Sequence, residues 1–160
     1  MSVSARRLEV LVIYEKLPEP LACGSDLRLE QILEALAADG HRVSFVGRNP
    51  AGGPAERARL ERLCTRVLGP DPERIHWEAR PEPPIDLEGL LDNTRFDACI
   101  LDTFFWTGLS VAEQYLPLVR RRAPKTPILL VTDDCHWLRE ERRAAQIGRA
   151  SCRERVYVLV

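Results

Sequence analysis

The stretch that decides the fold runs from Leu8 to Val46. It reads LEVLVIY (8–14), a proline-marked loop, then a leucine-bearing segment to Gly40, then HRVSFV (41–46). Leu8 to Tyr14 is a short, β-branched, nearly continuous apolar run, the pattern of a strand buried on both faces of a parallel sheet. After the loop 16–24, Ser25 is placed to cap a helix. Leu29, Ile32, Leu33 and Leu36 then recur at helical spacing until Gly40 ends the pattern. His41 to Val46 alternates as a second strand, which completes a β-α-β unit.

The same alternation continues outward. Asn49 to Pro54 is a loop, and Ala55 to Arg66 reads as an arginine-rich helix with Leu60 and Leu63 turned inward. Short strands are expected at Val67-Leu68 and Arg74–Trp77, and a short helix at Leu87–Asp92. Asp97–Asp102 (DACILD) and Pro127–Val131 (PILLV) read as further buried strands. Val111, Tyr115, Leu118 and Val119 lie at helical spacing, where Pro117 either kinks the helix or stands in the first turn of a shorter one. Trp137–Gln146 reads as a charged helix. The expected class is therefore α/β, a Rossmann-like open and mostly parallel sheet with helices on both faces.

Composition narrows the function. A length of 160 residues suits one domain. The net charge of -1 gives no field suited to nucleic acid or an anionic membrane. No apolar run approaches the roughly 20 residues of a membrane span, so the expected compartment is cytoplasmic, including the inner membrane face. Five cysteines at 23, 64, 99, 135 and 152 match neither a disulfide framework nor zinc spacing.

In open parallel sheets ligands gather beyond the carboxyl ends of the strands. That rule selects the loop after the first strand, Thr103–Gly108 and Thr132–Trp137. In the first, Gly24 and Ser25 open a helix whose free N–H groups suit a phosphate, and Arg28 adds a bidentate donor. Capping alone is the competing reading. In the third, Asp133 or Asp134 can orient His136 or bind substrate hydroxyls, and ordinary helix capping competes again. Phe104, Phe105 and Trp106 either stack on a sugar or pack beneath a helix. No metal set and no resident cofactor are expected.

Three phrases together resemble the N-terminal domain of family 4 retaining glycosyltransferases of the GT-B fold. They are VLVIYEKLPEPLACGSDLRLEQILEALAADGHRVSFVGRN, AEQYLPLVRRRAP and VTDDCHWLREERRA, and the likeness covers about residues 8–145. The resemblance implies a nucleotide-sugar donor and a glycan or lipid-linked acceptor. It places Gly24, Ser25 and Arg28 by the donor diphosphate and Asp134 and His136 on the sugar side. Many members carry a His-Asp pair after the last of these strands, whereas here Asp133 stands at the His position. The family's C-terminal domain supplies most of the nucleotide pocket. A chain holding only residues 1–146 of such a protein is expected to be inactive alone. A non-enzymatic Rossmann-like or receiver-like module is the alternative, although Tyr14-Glu15-Lys16 lacks a receiver's acidic pair.

Residues 147–160 read differently. IGRASCRERV (147–156) is also the translation of a common short-read sequencing adapter, so this tail is expected to be non-native. Its competing reading is a basic loop followed by a strand at Val156–Val160.

Overall fold

The computed structural model describes residues 6–21, 23–49, 53–69, 86–103 and 109–132. Along the chain these form β1 (Glu9–Tyr14), α1 (Gly24–Ala38), β2 (Arg42–Gly47), α2 (Pro54–Leu63) and β3 (Arg66–Leu68). There follow α3 (Leu87–Asn93), β4 (Ala98–Asp102), α4 (Val111–Arg122) and β5 (Ile128–Val131). All five strands pair in parallel, in the order β3-β2-β1-β4-β5. The α/β class and the Rossmann-like parallel sheet follow the expectation from sequence. The candidate strand 74–77, the candidate helix 137–146 and the tail 147–160 lie outside the described residues.

Successive strand residues point to opposite faces, so each central strand feeds two cores. Val10, Val12 and Tyr14 of β1 join Val43 and Phe45 of β2 and Leu29, Leu33 and Leu60 of α1 and α2. Leu11 and Ile13 join Val46, Cys99 and Leu101, covered by Leu87 and Leu90 of α3 and Val111 and Val119 of α4. β2 departs from the alternating exposure expected of it, because Val43 through Gly47 are all buried. It lies between β1 and β3 with α1 and α2 over the Val43 and Phe45 face and the α3–α4 core over the Val46 face, and even Ser44 is only 3% exposed.

Helix ends follow local chemistry. At Gly40 φ is +78°, a left-handed value that glycine adopts without strain. The amide of His41 donates to the Leu36 carbonyl at 2.9 Å and that of Gly40 to Ala37 at 3.0 Å, a Schellman closure of α1. Ser110 caps α4: its hydroxyl accepts from the Glu113 amide at 3.1 Å while the Glu113 carboxylate accepts from the Ser110 amide at 2.8 Å. With that start secured, α4 runs through Pro117 as one helix, forgoing a single backbone hydrogen bond.

Two boundaries differ from the sequence reading by more than one residue. The cap of α1 is Cys23, so Ser25 stands one residue inside the first turn. The Leu27 amide already reaches the Cys23 carbonyl at 3.1 Å, and the Ser25 hydroxyl is engaged with the Cys23 sulfur at 2.8 Å. α2 stops at Leu63, since Cys64 turns extended and Arg66 enters the sheet beside Ser44.

Candidate functional site at the carboxyl edge of the sheet

After β3 the chain crosses the sheet to lay β4 on the free side of β1. The direction of strand addition therefore reverses between β1 and β4, and the crevice such a reversal creates lies beyond Tyr14 and Asp102. The loop after β1 forms one wall. Asp26, 2% exposed on α1, is its hub. It accepts the Tyr14 phenol at 3.0 Å and the Glu19 amide at 2.8 Å, and pairs with the Lys16 ammonium at 3.0 Å. Burial alone would lower the Lys16 pKa, but its contacts with Glu19 and Asp26 outweigh that and raise it. An acid and a base in the loop thus neutralise each other.

Above this hub α1 opens toward the crevice. Cys23 gives its first turn no side-chain cap hydrogen bond. Gly24 is exposed, and a Cβ built there would meet nothing within 4 Å. Neither a left-handed φ nor close packing calls for glycine at this position. The Cys23 thiol is exposed and its pKa lies below the usual thiol value, through the Ser25 hydroxyl first and the neighbouring backbone amides next. One turn along, the Arg28 guanidinium reaches the carbonyl of Thr132, just past β5, at 3.5 Å. The structure thus brings Gly24, Ser25 and Arg28 to the same edge as the first residue of the Thr132–Trp137 segment. Asp134 and His136, with Asp133 and the aromatics 104–106, lie outside the described residues.

The start of α4 forms the opposite wall, and the contacts that tie it to the base of the loop after β1 were not legible in the sequence. Glu15, 6% exposed, accepts from Arg48 at the end of β2 and from the Asn49 side chain. Arg48 also donates to the Leu109 carbonyl at 2.6 Å and to the Gln114 side chain at 3.0 Å. Burial raises the Glu15 pKa, and Arg48 opposes that rise without cancelling it. In a dinucleotide fold an acid beyond the second strand takes the ribose. Here Arg48 stands just past β2, and its guanidinium is committed to Glu15 and α4. The buried Asp102 ends β4 between these walls, 1% exposed.

Neither a family model, nor a curated protein, nor a solved structure matches this chain. The chemistry must be read from the site itself. Among the described residues no group of three or more His, Cys, Asp or Glu is placed to hold a metal ion, and no helix is long and apolar enough to cross a membrane. An open cleft of about 670 Å³ lies at the amino edge, lined in part by Arg6, Asp97, Arg122 and Lys125. The carboxyl termini of α3 and α4 face that edge, where Arg6 pairs with Asp97 at 2.6 Å and Arg122 with Asp92 at 3.4 Å.

Proposed function

We propose that this chain is one lobe of a nucleotide-sugar-dependent, retaining glycosyltransferase, and that the first turn of α1 receives the donor diphosphate. The observation that carries the reading is the start of α1, which no side-chain oxygen caps, over the β1–β4 reversal, with open space at Gly24. Amide N–H groups without an oxygen cap, at the positive end of a helix of 15 residues, favour a phosphate oxygen. Arg28 adds a cation one turn away.

In this reading Asp134 and His136, beyond Thr132, serve the sugar and a glycan or lipid-linked acceptor. A second lobe closes over the crevice to complete the donor pocket. Transfer needs the donor clamped between both lobes, so this lobe by itself is expected to bind the donor weakly and not to turn over.

The receiver-like alternative is disfavoured by strand order. Receiver-type sheets run 2-1-3-4-5, whereas the described strands run 3-2-1-4-5, the order of the first five strands in dinucleotide-binding sheets. A thermal-shift series with UDP-glucose, GDP-mannose and the free nucleotides tests the reading. At ten times its Kd a ligand adds about 1.4 kcal/mol, or roughly 3–5 °C for a domain of this size. No rise with any nucleotide up to tens of millimolar would overturn it.

A further inference from the structure

We infer that Arg48 is the positioning residue of the crevice: one guanidinium joins the tip of β1 to the start of α4, so both walls are set from the end of β2. One nitrogen pairs with the Glu15 carboxylate. The other donates to the Leu109 carbonyl at 2.6 Å and to Gln114 Oε1 at 3.0 Å. The partners are 33, 61 and 66 residues away in sequence. Val46 of β2 shares an apolar core with Val111 and Val119 of α4, and at the carboxyl edge this planar fork adds a polar connection between the two elements.

The surroundings make the fork hard to replace. Arg48 and Glu15 side chains are 12% and 8% exposed, so neither is well solvated. Groups packed about Glu15 are Arg48 and Asn49 from β2 and its loop, and Tyr115 from α4, whose phenol pKa is raised by burial with opposing effects from Arg48 and Glu15. A lysine offers a point charge to Glu15 and cannot span two sides at once. The role rests on the crevice being the nucleotide-sugar site only where ligand affinity is concerned. The joining of the walls stands apart from that reading.

Amide hydrogen exchange on the full chain, read by mass spectrometry, separates the two. R48M is expected to quicken exchange roughly tenfold or more in peptides covering 15–23 and in those covering 109–114, the cost of orphaning buried polar partners. R48K is expected to quicken only 109–114, because it keeps a cation for Glu15. Q114A gives the same one-sided change and keeps the variant set informative if R48M does not fold. With UDP-glucose as probe, both R48M and Q114A weaken binding without a ligand contact, while urea midpoints of Q114A stay near wild type. Changes confined to residues 47–49, or equal across the whole chain, would overturn the inference. Absence of binding by UDP-glucose, GDP-mannose and the free nucleotides alike to the wild type would sink the glycosyltransferase reading while the exchange data still judged Arg48.

Discussion

The Tyr14 phenol donates to the Asp26 carboxylate at 3.0 Å, fastening the last residue of β1 to the first turn of α1. The two residues are twelve positions apart, and the chain between them is drawn in further by the Glu19 amide, which ends on the same carboxylate. A single buried acid orders the floor of the crevice.

Tyr14→Phe is therefore expected to cost about 2 kcal/mol in urea unfolding, the usual range for a lost bond to a buried charge. Asp26→Ala should cost more, since it strands Lys16 and the Glu19 amide as well. Equal stability of Tyr14→Phe and wild type would show that Asp26 is satisfied without the phenol.

Much of the fold was written locally. LEVLVIY is apolar but for Glu9 and rich in β-branched residues, and the leucines of α1 keep helical spacing up to Gly40, so both elements announce themselves within a few residues of chain. The N-cap of α1 was misplaced by two residues because Ser25 is the better capping residue by type, yet its hydroxyl is taken by Cys23. Asp26 and Glu30 are charged, yet both are buried on α1. Their partners come from elsewhere in the chain: Tyr14 and Lys16 for Asp26, and Arg59 of α2 for Glu30 at 2.6 Å. For the site, Gly24 and Arg28 could be picked by position after the first strand. Glu15, Arg48 and Gln114 could not, because nothing local signals pairings of 33 and 66 residues.

Gly24→Ala separates packing from ligand contact. With nothing within 4 Å of the added methyl, stability should hold or rise by up to about 1 kcal/mol from better helix propensity. Binding of UDP-glucose, measured by isothermal titration, should nonetheless fall severalfold, because the methyl occupies space that a phosphate would approach. Unchanged affinity would remove Gly24 from the donor site.

Cysteine labelling should be strongly graded. Burial pushes the thiols of Cys64 and Cys99 up to about 12, while the exposed Cys23 lies below the usual value. Iodoacetamide treatment of native protein at neutral pH, followed by peptide mapping, should modify Cys23 and spare Cys64 and Cys99 until urea is added. Early labelling of Cys64 would contradict the packing of α2 against β2.

Glu15 sets a pH dependence with a defined sign. Its folded pKa is raised, chiefly by burial, so the folded state holds its proton more tightly than the unfolded chain. That contribution to stability is present in acid, below the ordinary glutamate range, and is lost as pH rises through the elevated folded value. Glu15→Gln removes this dependence, so the wild-type midpoint should decline more steeply than the variant's as pH rises across that window. Parallel midpoints would mean that Arg48 fully offsets burial.

The most direct measurement is an amide-resolved NMR titration of the isotopically labelled chain with UDP-glucose and, in parallel, with GDP-mannose. Saturable shifts concentrated at Gly24, Ser25, Arg28 and Thr132 are expected, together with competition by UDP. Saturable shifts centred instead on Arg95, Phe96 and Lys125 at the amino edge, or none at any concentration, would contradict a donor site at the carboxyl ends of β1 and β4.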